Sequence, residues 1–220
     1  MMFQINPYEL LIGFAVIILS ITFHEACHAL TAYRLGDPTP KYMGRLTLNP
    51  IAHMDPLGTI MILITMLGGI GIGWGKPVQV NPYNLRHGPK TGMALVSLAG
   101  PLSNLTLAAA AAIPLRLHGV SMNSLAGSIL FAIVSMNIAL AAFNIIPLPP
   151  LDGFKILQGI LPNRQAYALS TLENYGPAFL LLVIFVAPYM GINILGTVMR
   201  PLMAIFYWIV IGGPGFGHFF

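Results

Sequence analysis

Two histidines four residues apart, with a glutamate beside the first, are the residues of this chain best suited to chemistry: His24-Glu25-Ala26-Cys27-His28. On a helix, positions i and i+4 share one face, one turn apart. Two imidazoles placed this way can converge on one zinc ion at about 2.0–2.1 Å. Glu25 then reaches the attacking water rather than the metal. Cys27 lies between the histidines but at a different angle on the helix, and is read as a packing residue.

Two imidazoles leave a zinc site incomplete, so a third protein ligand is needed. Besides Glu25, the acidic residues are Glu9, Asp37, Asp55, Asp152 and Glu173. Asp152 stands out because it follows an apolar run and three prolines, Pro147, Pro149 and Pro150, and precedes Gly153. Prolines there break a helix, and a carboxylate on the broken segment can turn inward towards a metal. An aspartate before a glycine is also an ordinary turn residue, and that alternative stays open at this point.

The elements that must position these groups lie in lipid. The chain has 220 residues, of which 56% are hydrophobic and 7% charged, and its mean hydropathy is +0.80. A soluble domain carries about 25% charged residues, so much of this chain has lipid as its solvent. Three ionisable groups inside one such helix are costly, at about 2.5–3.5 kcal/mol each near the bilayer centre. The 10 basic and 6 acidic residues leave a net charge of +4. The basic residues sit in short loops without an aromatic stripe, which points to membrane orientation rather than nucleic acid. One cysteine excludes an intrachain disulfide. The first apolar run is not expected to be a removable signal peptide, since it lacks a basic start and carries the ionisable residues.

Apolar runs span residues 8–33, 93–117 and 125–146, each long enough to cross about 30 Å of hydrocarbon. Residues 57–72, 154–161, 178–190 and 202–211 are shorter, and Arg200 separates the last two. Gly100-Pro101 is expected to interrupt the second long run, and Pro147 to Pro150 to stop the third. Residues 163–174 look amphipathic and are placed at the surface. Residues 42–48 are expected to form a short strand, and Pro77-Val78-Gln79-Val80 an edge strand. The fold expected is an all-α integral membrane protein. It is a polytopic bundle of about five to six apolar segments with a small β-hairpin or re-entrant element. Residues 1–220 are expected to be one membrane-embedded domain, with the core that carries the site at about 8–161 and C-terminal helices at about 163–212.

Taken together, His24 to His28 and Asn144-Ile145-Ile146-Pro147-Leu148-Pro149-Pro150-Leu151-Asp152-Gly153 resemble the paired signature of the site-2 proteases. Gly100-Pro101-Leu102-Ser103-Asn104 is similar to the segment of their intervening helix. Asn49-Pro50 with His53, Asp55-Pro56 and Gly58, and Gly73-Trp74-Gly75-Lys76-Pro77-Val78, resemble motifs of their small prokaryotic members. The resemblance covers residues 20–153 well and the C-terminal third by hydropathy. It implies one zinc ion per chain, Asp152 as third ligand, and cleavage of membrane-anchored protein substrates. Asn144 is implicated in holding the scissile carbonyl or its oxyanion. The PDZ domain and extra N-terminal span of some relatives are not expected here.

On this reading Glu25 is the general base and acid, and water reaches the site through a polar channel. Pro77, Val78, Gln79 and Val80 are substrate-binding candidates by strand addition. Asn104 is grouped with them, or orients a ligand or packs helices. His53 could support a metal ligand from behind or sit in a substrate loop, but a loop histidine is more often neither. The histidines and Asp152 can share one depth only if residues 57–72 do not cross fully, so a re-entrant course is expected there. Arg34, Lys41, Arg45, Lys76, Arg86 and Lys90 would then share one side, with Arg116 opposite. That side is cytoplasmic by the positive-inside rule, in a prokaryotic cytoplasmic membrane. The competing readings are a non-proteolytic membrane zinc-binding protein or a metal transporter, whose ligands would spread over several spans, and a structural scaffold, which leaves the buried charges unexplained. Oligomeric state is open.

Overall fold

Asparagine and proline punctuation sets where many of the helices begin. Asn6, Asn49 and Asn81 each accept a backbone N–H two residues on, and each is followed by a proline at the first helical position. Such a residue satisfies one orphan donor, and the proline adds a preset φ where no N–H is needed. Ser124 and Asn193 cap two further helices through the N–H of Gly127 and Gly196.

The computed structural model describes residues 6–68 and 73–212. Its helices are α1 (Pro7–Arg34), α2 (Thr39–Tyr42), α3 (Pro50–His53), α4 (Pro56–Gly68), α5 (Gly88–Arg116), α6 (Leu125–Asn144), α7 (Asp152–Ile160), α8 (Asn163–Ser170), α9 (Gly176–Leu181) and α10 (Ile194–Ile211). Four of them, α1, α5, α6 and α10, are long and apolar enough to cross a membrane. The shortest, α10, has 18 residues, or about 27 Å at about 1.5 Å per residue. With 13 residues, α4 reaches only about 20 Å. The glycine-rich end of the 57–72 run, from residue 69 on, lies outside the described residues.

The central element is α5, which packs against α1, α6, α7 and α10. Away from the site, its Ala108, Ala112 and Leu115 meet Val134 and Ile138 of α6 and Val210 and Ile211 of α10. Small residues on α5 let these backbones approach, which matters in lipid because apolar surface alone does not drive helices together. Helix α6 ends where the prolines begin, and the chain turns through residues 145–151 before re-entering a helix at Asp152. Gly153 sits directly on the carbonyls of Ile145 and Ile146, where any Cβ would collide. The close approach of this turn to α7 therefore requires glycine at the second residue of α7, next to Asp152.

Three expectations are corrected. Pro101 does not interrupt the second run; it is buried inside a continuous α5. Neighbouring elements can compensate a lost helical hydrogen bond in such helices. Arg200 does not bound the last apolar run either, since α10 begins at Ile194 and passes through both Arg200 and Pro201. The expected strands are absent among the described residues, where one isolated bridge, Met54 to Gly75, is the sole β pairing. Residues 42–48 begin in α2 and continue as turn, and residues 77–80 have no ladder partner. The in–out alternation of the latter survives: Val78 and Val80 are half-buried while Pro77 and Gln79 are exposed. Helix α9 continues to Met190 through a π turn at Leu182–Val186 and a 3-10 turn at Ala187–Met190. Its Leu180 and Ile184 pack with Leu151 against Phe143 of α6.

Candidate metal and catalytic centre

His24 and His28 project one turn apart from α1, with ring planes at 86° and centroids 4.5 Å apart. Each is braced from behind by α5. His24 Nδ1 lies 2.7 Å from Asn104 Oδ1, and His28 Nδ1 lies 2.7 Å from the Val96 carbonyl. A carbonyl oxygen only accepts, so each ring carries its hydrogen on Nδ1. Both Nε2 atoms are then bare lone pairs, 3.0 Å from one another. Asp152 Oδ2 is 3.2 Å from each of them, and it is buried without a hydrogen-bond donor.

Three acceptors facing one point with no hydrogen among them repel unless a cation lies between them. Their separations approach the edge of a zinc tetrahedron, about 3.3 Å for bonds of about 2.0–2.1 Å. The donor set, two neutral imidazoles and a carboxylate, suits zinc, and the Nδ1 braces are the outer hydrogen bonds that such ligands carry. Among the described residues these three form a group able to hold a metal. Gly100 faces both rings so closely that a Cβ would overlap His28 Nε2 and His24 Cε1.

The brace behind His24 extends further than the sequence suggested. Asn104 Nδ2 donates to Asn137 Oδ1 at 2.8 Å, and Asn137 Nδ2 donates to Ser20 Oγ at 2.9 Å and to the Ile133 carbonyl. Both asparagines are 0% exposed. Asn104 therefore meets a histidine and a second asparagine, and it lines neither of the two cavities that meet beside Glu25. Asn137 went unnoticed in the sequence. The available signal was the cost of a polar side chain inside an apolar span, the same one that singled out Asn104.

Glu25 is half-buried beside the pair, and its Oε2 accepts the backbone N–H of Val78 at 3.0 Å. Two cavities meet at this point. One, of about 390 Å³, is mostly apolar and runs between α1, α6 and α9, lined by Ile21, Leu140, Phe143, Leu180 and Ile184. The other, of about 210 Å³, is more polar and includes His28, Ser97, Asp152 and Lys155. His24, Glu25, Pro77, Asn144, Pro150 and Leu151 border both. Asn144 thus lies at the junction, with Nδ2 donating to the Leu140 carbonyl at 3.0 Å. Val78 and Val80 line the polar cavity, while Gln79 faces away and lines neither. His53 lines neither, and is buried with Nε2 2.8 Å from the Thr47 carbonyl. Cys27 contributes nothing to the metal-holding group.

What these helices bury is hydrolytic apparatus of the kind that membrane-embedded zinc metallopeptidases carry. Known proteins agree with that class. The model of Peptidase family M50 matches residues 113–186. YwhC of Bacillus subtilis is 42% identical over 78% of this chain and 78% of its own length, and Rip2 of Mycobacterium tuberculosis is 32% identical over 87% and 70%. Both carry zinc metalloprotease names. The zinc metalloprotease MJ0392 of Methanocaldococcus jannaschii is 24% identical over 78% of this chain and 41% of its own. No solved structure matches. The chain belongs to peptidase family M50, the site-2 proteases, and is an integral membrane zinc metallopeptidase.

Proposed function

We propose that His24, His28 and Asp152 hold one zinc ion per chain, that Glu25 is the general base and acid, and that the enzyme cuts membrane-anchored proteins within or near the bilayer. The observation that carries this reading is the convergence of two bare Nε2 atoms and an undonated carboxylate oxygen, all within 3.2 Å. When bound, zinc supplies a Lewis acid that polarises a peptide carbonyl and acidifies water.

The chain's own groups do the rest. Glu25 borders both cavities, so its carboxylate can take a proton from water arriving on the polar side and return it to the leaving amine. One Asn144 Nδ2 hydrogen goes to Leu140, which leaves the other to donate to the substrate carbonyl oxygen as charge develops there. The apolar cavity takes the membrane-buried part of the substrate, and the polar cavity takes the segment that has unwound. Pro77, Val78 and Val80 border that path, and an unwound chain can lie against them without a preformed strand.

The domain reading is one unit over residues 1–220. The finer architecture proposed is six apolar segments, in which α4 and residues 176–190 enter the membrane beside the four long helices. The site faces the cytoplasmic half of a prokaryotic cytoplasmic membrane. In support, Arg34 ends α1 and Lys90 begins α5, while Arg116 ends α5 at its other extremity.

Bound zinc and cleavage, compared in wild type and Glu25→Gln, test the assignment. Zinc retained with cleavage lost is expected. A mutant that still cuts removes Glu25 from its role, and a wild type without zinc removes the whole centre.

A further inference from the structure

Two buried charged side chains outside the metal-holding group bind the chain on either side of Val78. Arg45 is 3% exposed, yet it meets backbone carbonyls rather than a carboxylate. Its Nη1 donates to the Ala52 carbonyl at 2.5 Å and to the Lys76 carbonyl at 3.2 Å, and its Nη2 donates to the Pro77 carbonyl at 3.5 Å. Asp37 is 0% exposed. It accepts the Asn81 N–H at 2.7 Å, Asn84 Nδ2 at 3.0 Å, and Thr39 through both its hydroxyl and its amide. One anchor therefore grips the chain just before Val78 and the other grips it three residues after.

Between these anchors the segment lacks a strand partner. A peptide with no ladder hydrogen bonds has no intrinsic reason to hold one amide in place. The Lys76 N–H to His53 carbonyl bond, 2.8 Å, fixes the entry to the segment. Burying a guanidinium is costly unless its donors are satisfied, and here the carbonyls that satisfy it belong to the segment that faces the general base.

We propose that Arg45 and Asp37 are positioning residues for the reaction: by clamping residues 76–81 on either side of Val78, they aim its N–H at the Glu25 carboxylate and fix that carboxylate between the two cavities. The inference rests on Glu25 being the general base. A carboxylate free to rotate would leave the water path for part of the time, so loss of a clamp lowers kcat, and KM shifts by less, through the contacts of Val78 and Val80 with the unwound substrate. Neither anchor touches His24, His28 or Asp152, so zinc stays.

The test uses the full chain in detergent micelles. Amide hydrogen exchange at Val78, bound zinc, and kcat and KM on a single-span reporter peptide are measured for wild type, Arg45→Gln, Arg45→Lys, Asp37→Asn and Glu25→Gln. Expected for Arg45→Gln and Asp37→Asn are Val78 exchange and kcat changes of about tenfold or more, the scale of one hydrogen bond to a charged group, with a smaller change in KM and zinc unchanged. Arg45→Lys keeps the charge but reaches fewer carbonyls, so it falls between wild type and glutamine. Unchanged Val78 exchange in both anchor variants overturns the proposal, and so does zinc lost in step with cleavage. If Glu25→Gln still cleaves, the assignment of the base fails whatever Val78 does. If it is dead while Val78 ignores both anchors, the base stands and the clamp does not.

Discussion

His24 and Glu25 are neighbours on one helix, but they are braced by different kinds of structure. The histidines lean on other spans: Asn104 and the Val96 carbonyl hold their outer nitrogens, and Asn137 and Ser20 hold Asn104. Glu25 leans on a loop amide, Val78, whose flanking residues Lys76 and Asn81 are bonded to side chains from two further loops. The first brace is helix against helix, with hydrogen bonds satisfied in a dry core. The second has no regular structure and depends on buried charges. The difference implies that metal holding and turnover are separately breakable.

The sharpest break is Gly100→Val. Its side chain would overlap both rings, and the expected result is near-complete loss of zinc and of cleavage together, read by metal analysis of the purified protein. Glu25→Gln should separate what Gly100→Val joins. Cleavage should fall by about 10²- to 10⁴-fold, the range for a lost acid–base group, with zinc still near one per chain. Asn104→Ala and Asn137→Leu should weaken zinc by about 10- to 100-fold, as for other outer partners of metal ligands. Competition with a chelator measures this, and wild-type affinity in both variants would mean that the asparagine chain does not orient His24.

The smallest effect concerns pH. Burial alone would raise the Asp37 carboxyl, but the donors from Thr39, Asn84 and Asn81 outweigh it and hold it below the usual carboxylate range. With the folded value below the unfolded one, this stabilisation is complete above about pH 4 and is lost as pH falls through the folded value. Protection of the Asn81 amide, taken relative to its intrinsic exchange rate, should therefore fall on acidification below about pH 4, and Asp37→Asn should flatten that fall. Sidedness is a separate check. Cysteines at Asn84 and His118, just beyond opposite ends of α5, should label from opposite sides of the membrane.

The same contrast decides what could be read from residues alone. Helices α1, α5 and α6 were legible because span length, capping and helix-stopping prolines are local properties. The histidine pair was legible because its spacing matches one turn. Asp152 needed the resemblance, since nothing local distinguishes an inward carboxylate from a turn aspartate. The loops were not legible. Residues 77–80 alternate like a strand, but a strand exists only with a partner, and partnership is non-local. Arg45 looked like any basic residue in a short loop beside the membrane. Its burial depends on carbonyls supplied by Ala52, Lys76 and Pro77, two of them more than thirty residues away. Asn137 carries the same local signal as Asn104, a polar side chain inside an apolar span.

If the proposed cleavage takes place where the apolar and polar cavities meet at Glu25, the reaction also gains a direction. A cut made there yields two fragments with opposite solubilities. The hydrophilic piece drifts into the aqueous phase, while the oily stub slides sideways into the acyl chains, each drawn by transfer energies of about 0.8 kcal/mol per methylene. Once parted, the two new ends share no phase in which to meet. Resynthesis is then suppressed by partitioning alone, and the catalyst needs no energy source to make scission final.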